Sequence, residues 1–317
     1  MFLDISLLLL GFVFLIKGAN WLVDGASALA KKHNISDLAI GLTIVAFGTS
    51  APELVVNAIA SFQGHQDIVL GNVIGSNNFN LFIILGIAGL IYPMTVQSST
   101  VWKEIPISFF AAVLLLFLAN DFFSDDTAVI SRLDGGLLLL LFLGFLTYVF
   151  VQLKSDSRNL EVPTNQFSNL KITTYIILGL TGLVLGGKFV VSSATDIATS
   201  LGLSEKLIGL TIVAAGTSLP ELATSVVAAL KKNNDIAIGN IIGSNIFNIF
   251  FILSISSLIH PIEYNAIFNT DVFILLGGTL FLFAAMFTGR KRELDRWESA
   301  LLLIAYVGYI AYTITKI

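Results

Sequence analysis

Two glutamates stand in nearly identical apolar settings, Glu53 in GLTIVAFGTSAPELV (41–55) and Glu221 in GLTIVAAGTSLPELA (209–223). A carboxylate in a hydrocarbon-rich segment is costly, and one written twice in matched surroundings points to a shared task. Pro52 and Pro220 lack the N–H that would bond the carbonyls of Gly48 and Gly216, so each segment is expected to open there and turn backbone oxygens into a cavity. Thr49 precedes Glu53 by one helical turn on the same face, and Thr217 precedes Glu221 likewise, with Ser50 and Ser218 beside them. A second motif follows in each half. Asn72, Ser76 and Asn80 form a polar stripe at i, i+4 and i+8, repeated as Asn240, Ser244 and Asn248. Carboxylate, amide, hydroxyl and carbonyl oxygens together make a hard donor set, suited to Ca²⁺ or Na⁺, whereas Mg²⁺ gives up its water reluctantly. Soft metals are disfavoured, since the chain has no cysteine and His33, His65 and His260 all fall near the ends of apolar runs. Neither motif carries Lys or Arg beside its glutamate, so the natural counter-ion is one that comes and goes.

The elements that must hold these residues are membrane spans. Hydrophobic residues make up 56% of the 317-residue chain and charged residues 12%, with a mean hydropathy of +0.88. Runs of about 20 apolar residues, each enough to cross the hydrocarbon layer, recur over the whole length. Ten spans are expected, near 3–28, 37–62, 68–92, 104–120, 134–153, 172–199, 205–230, 235–259, 268–288 and 297–315. This is an all-α polytopic membrane protein with no room for a separate soluble domain. No basic stripe interleaved with aromatics suggests nucleic-acid binding.

The two halves are repeats. A shift of 168 residues lays 41–93 on 209–261 with 30 identities in 53 positions and no gap. The polar stretch 154–171 divides the spans five and five, giving a first repeat at 1–153, a cytoplasmic linker at 154–171 and a second repeat at 172–317. An odd number of spans per repeat makes the second enter the membrane from the opposite side. With both termini outside, twelve loop lysines and arginines lie inside and only Arg132, Lys206 and Lys316 outside, as the positive-inside rule requires. Inverted repeats of this kind mark secondary transporters that bind substrate near the midplane.

GTSAPE with GNVIGSNNFN, and GTSLPE with GNIIGSNIFN, resemble the two alpha-repeats of the cation/calcium exchanger superfamily, most of all its small prokaryotic sodium/calcium antiporters. The resemblance covers both halves and the inverted arrangement. It implies Ca²⁺ held by Glu53 and Glu221 with backbone oxygens of Thr49 and Thr217. It further implies Na⁺ positions involving Ala46, Ser50, Ser76, Ala214, Ser218 and Ser244, with Asn80 and Asn248 lining the middle and spans one and six as a sliding gate. Ca²⁺ and Na⁺ are then substrates and no cofactor is expected, in a protein of the cell (inner) membrane for which a monomer is sufficient. One departure stands out: several relatives carry an acid where this chain has Asn248, so three Na⁺ per Ca²⁺ is not assured.

Other readings compete. Ca²⁺/H⁺ antiport by the same fold is the alternative function. A serine enzyme is disfavoured because no base accompanies Ser50 or Ser218, and a passive channel fits inverted repeats poorly. Asn72, Asn77, Asn240 and Asn245 read equally well as interhelical hydrogen-bond glue. Lys17 and Lys188, inside spans, are expected to snorkel or to pair with an acid such as Asp24, and Asp121, Asp125 and Asp126 to form a solvated outer loop.

Overall fold

In hydrocarbon only a helix or a closed barrel satisfies every backbone polar group, and the long apolar runs of this chain duly form helices. The computed structural model describes residues 2–120, 128–156, 167–201 and 214–316. The main helices are α1 (Phe2–His33), α2 (Asp37–Thr49), α3 (Ala51–Phe62), α4 (Gln66–Ile91), α5 (Thr100–Asn120) and α6 (Arg132–Asp156) in the first half. The second half holds α7 (Asn169–Ser200), α8 (Leu219–Leu230), α9 (Asn234–Ile259), α10 (Asn269–Ala285) and α11 (Arg296–Lys316). Among the described residues seven helices are long and apolar enough to cross a membrane, and the bent pair α2 and α3 makes an eighth. Helix α11, 21 residues long, stands outside that count. The beginning of the expected span 205–230, most of the 154–171 linker and the Asp121, Asp125, Asp126 cluster lie outside the described residues.

Two backbone pairings connect the halves. Strand β1 (Met94–Thr95) runs antiparallel to β4 (Glu293–Leu294), and β2 (Val129–Ile130) runs antiparallel to β3 (Ile262–Glu263). Each ribbon therefore joins a strand from one half to a strand from the other.

Large apolar side chains remain exposed along the outside, among them Phe12 and Ile16 on α1, Leu140 and Phe150 on α6, and Ile177 and Val184 on α7. Such a surface is a liability in water and the natural one against lipid. The interior is built around α4 and α9. Small residues bring neighbouring backbones together: a Cβ added to Gly18 of α1 would stand 2.8 Å from the Gly179 carbonyl oxygen of α7. These two helices thus touch backbone to backbone, the close approach that small residues permit between membrane helices. Lys17 and Lys188 are exposed on that same pair. The partner of Asp24 is Lys231, with Nζ 2.8 Å from Oδ1, so the expected pairing of Asp24 with Lys17 gives way to a contact between α1 and the end of α8.

Candidate cation site

The site grows from the two helix breaks. At Ser50 (φ −82°, ψ 7°) the chain leaves α2 and enters α3, which carries Pro52 in its first turn, and the two axes differ by 47°. Ser218 has nearly the same conformation (φ −88°, ψ 7°) and opens α8 with Pro220 in its first turn. Proline is tolerated there because its missing N–H would have had no helical partner. Thr217 lies in the break itself, after a single turn at Ala214–Gly216.

The glutamates follow immediately and are buried, each with 1% exposure. Each is bonded by the serine of the opposite repeat. Ser50 Oγ donates to Glu221 Oε1 at 2.9 Å and lies 3.0 Å from Ser244 Oγ. Ser218 Oγ donates to Glu53 Oε1 at 3.1 Å and lies 3.1 Å from Ser76 Oγ. Thr217 lies beside Glu53, Thr49 lies beside Glu221, and the two glutamates are neighbours. No lysine or arginine pairs with either acid among the described residues. Two buried carboxylates without a basic partner are strongly unfavourable unless cations or protons balance them.

The remaining expected ligands gather around this centre. Thr49, Ser50, Ser76, Ser218, Ser244, Asn80, Asn248 and Ala46 are all buried. The Ala46 carbonyl accepts from Thr49 Oγ1 at 3.3 Å and from the Ser50 amide at 3.0 Å, and so already has protein partners. Of Ala214 only the backbone is described. Among the expected ligands, five of the buried oxygens have no hydrogen-bond partner among the described residues: Glu53 Oε2, Glu221 Oε2, Asn80 Oδ1, Asn248 Oδ1 and Thr217 Oγ1. Open oxygen acceptors on these residues suit a hard cation.

Two features are not evident from residue spacing. The helices widen into π-turns at Phe79–Ile84 and Asn248–Ile252, where Asn80 and Asn248 sit; such bulges recur at functional sites. Asn240, read as glue, accepts from Thr49 Oγ1 at 3.0 Å and donates to Ser225 Oγ at 2.9 Å and to the Glu221 carbonyl at 3.3 Å. It therefore braces one break against the other half. Its identity with Asn72 in the repeat is the only signal that points to it.

Fold and site together define a polytopic membrane protein with a pair of acids buried among oxygen ligands. Comparison with known proteins narrows the class. Residues 3–151 and 171–315 match the family described as "Sodium/calcium exchanger protein". The sodium/calcium exchanger MaX1 of Methanosarcina acetivorans is 36% identical over 96% of each chain, and the inner membrane protein YrbG of Escherichia coli 33% identical over 98% of this chain and 97% of its own. A solved structure of the sodium-calcium exchanger NCX_Mj superposes with a TM-score of 0.84 at 32% identity, covering 98% of both chains. The chain belongs to the sodium/calcium exchanger family, and is a membrane transporter rather than an enzyme.

Proposed function

We propose that the protein is a secondary antiporter that exchanges Ca²⁺ for Na⁺ by alternating access to one site shared by two inverted five-helix repeats, 1–153 and 172–317. The cytoplasmic linker is 154–171, and both termini face outside. The strand pairings support the inversion, since β1 and β3 stand 168 residues apart and each pairs with a strand of the opposite half. Helix α11 and the segment ending in α8 complete ten spans.

One observation carries the reading: Glu53 and Glu221 lie buried together, each tied to a serine of the opposite repeat, with no basic partner among the described residues. Ca²⁺ would be bound by both carboxylates with the Thr49 and Thr217 backbone oxygens. Na⁺ would use Ala46, Ser50, Ser76, Ala214, Ser218 and Ser244, with Asn80 and Asn248 between. One Ca²⁺ or two Na⁺ cancel the two charges. An empty site leaves two acids uncompensated in a poor dielectric, at a cost of several kcal/mol per ion. The carrier therefore changes face readily when loaded and poorly when empty, which is the physical basis of obligatory exchange. Motion of the closely packed pair α1 and α7 across the core would open one side or the other.

Purified protein in proteoliposomes tests this. An imposed Na⁺ gradient is expected to drive ⁴⁵Ca²⁺ uptake, with substitution of either glutamate by glutamine abolishing it. Uptake that ignores Na⁺ and follows a pH gradient would instead establish Ca²⁺/H⁺ antiport at the same acids.

A further inference from the structure

Between α4 and α9 four buried asparagines, Asn77, Asn80, Asn245 and Asn248, form a closed set of hydrogen bonds. Asn77 Nδ2 donates to the backbone carbonyl of Asn245 at 3.3 Å, and Asn245 Nδ2 donates to the backbone carbonyl of Asn77 at 3.3 Å. Asn80 Nδ2 donates to Asn245 Oδ1 at 3.0 Å, and Asn248 Nδ2 donates to Asn77 Oδ1 at 2.9 Å.

The direction of every bond in this set follows from its ends. A backbone carbonyl can only accept, so the amide facing it must present nitrogen. That turns Oδ1 of Asn77 towards Asn248 and Oδ1 of Asn245 towards Asn80. An oxygen there requires nitrogen from its neighbour. Asn80 and Asn248 are therefore left with their own Oδ1 atoms free, and both oxygens are buried without a partner. Asn80 stands one turn from Ser76, which touches Ser218, and Asn248 stands one turn from Ser244, which touches Ser50. The free oxygens thus lie on the helix faces that carry the site.

We propose that Asn77 and Asn245 are positioning residues that lock the Asn80 and Asn248 amides so that these neutral side chains offer oxygen, and never N–H, to the transported cation. This rests on the reading of Asn80 and Asn248 as cation ligands. An unlocked amide can turn its donor end inward and repel a cation at little cost to packing. A carboxylate has no such wrong end. The chain has amides at both positions, and so needs the lock at both.

A double-mutant cycle on ⁴⁵Ca²⁺ transport in proteoliposomes tests the assignment. N77A is expected to raise the KM for Ca²⁺ by roughly tenfold while the maximal rate stays within about twofold, because only the ligand's polarity is released. N77A combined with N248D is expected to lose no further affinity relative to N248D alone, since aspartate presents oxygen either way round and N77A removes the Asn77 Oδ1 that would oppose it. N245A with N80D forms the mirror cycle. Losses that add in both cycles, or alanine variants that both fail to fold, would assign the four amides to helix packing and overturn the proposal. Wild-type protein that moves no Ca²⁺, or an E53Q variant that moves it normally, would instead refute the antiporter reading on which the assignment stands.

Discussion

Helices α4 and α9 share the motif GNxIGSNxFN yet sit in different surroundings. Of the most apolar stretch of α9, 94% is buried, against 67% for α4. A Cβ added to Gly239 would stand 2.8 Å from the Leu38 carbonyl oxygen, and one on Gly243 would stand 2.8 Å from Ala46 Cβ, so α2 lies directly on α9. The equivalent Gly71 and Gly75 of α4 are exposed. Asn240 is buried and bonded to Thr49, whereas Asn72 is half-buried and accepts from Ser76 of its own helix at 3.1 Å. Among the described residues, then, α2 covers the α9 copy of the motif, whereas most of the stretch equivalent to α2 by the 168-residue shift, 205–213, lies outside them. On the antiporter reading proposed above, an exchange of two such packings between the halves would open the opposite side.

The largest effect is expected where the halves are equal. E53Q and E221Q should each lower Na⁺-driven Ca²⁺ uptake more than about 100-fold, which corresponds to about 2.7 kcal/mol of lost binding or barrier stabilisation, since either change leaves one charge against Ca²⁺. A variant of one glutamate that retains wild-type flux would show that the carboxylates are not a unit, and would break the comparison at its root.

A smaller effect should separate the halves. G239A places a methyl against backbone that cannot retreat, and overpacking of this kind costs about 1–3 kcal/mol, read as a lower melting temperature in detergent. At Gly71 the nearest neighbour of a new Cβ among the described residues is Phe268 Cε1 at 3.8 Å, so G71A should leave the melting temperature unchanged. It should nevertheless slow transport, because the methyl obstructs α4 whenever its turn comes to be covered. Equal melting temperatures for the two variants would mean that α4 and α9 are packed alike in solution.

Much of the helical fold and of the candidate site is legible in the amino-acid sequence, and particular residues show why. Duplication exposes Glu53, Ser50, Ser76 and Asn80 with their partners, because equal spacing in two copies filters out residues that are merely greasy. Helix ends follow from breaks such as Gly64 and His65 between α3 and α4. The crossing of Ser50 to Glu221 and Ser218 to Glu53 is not legible, since periodicity fixes a face of one helix and says nothing about which copy that face meets. The polarity of Asn77 and Asn245 is hidden for a similar reason: it depends on two backbone carbonyls of the opposite helix. The close approach of α2 to α9 is not legible either, as the motif glycines Gly71 and Gly75 match Gly239 and Gly243.

The smallest expected effect comes from a contact that only one side possesses. Lys231 Nζ bonds both Asp24 Oδ1 at 2.8 Å and the Asn20 carbonyl at 3.1 Å, tying α1 to the end of α8 on the covered side. Shifted by 168 residues, these positions become Gln63 and Ser192, which cannot form an ion pair. The bridge is therefore a bias towards the packing observed. Its side chains are 30% and 47% exposed, and pairs this open contribute about 0–1 kcal/mol and weaken with salt. D24N should thus shift the balance between packings by less than about fivefold. The cysteine-free chain provides the reporter: a cysteine introduced as G75C should react with a membrane-impermeant maleimide, and D24N should slow that reaction within the same limit. The difference should shrink as ionic strength rises. A rate unchanged by D24N at low salt would show that the preference for the covered α9 resides in the close backbone contacts of Gly41 and Gly239 rather than in the ion pair.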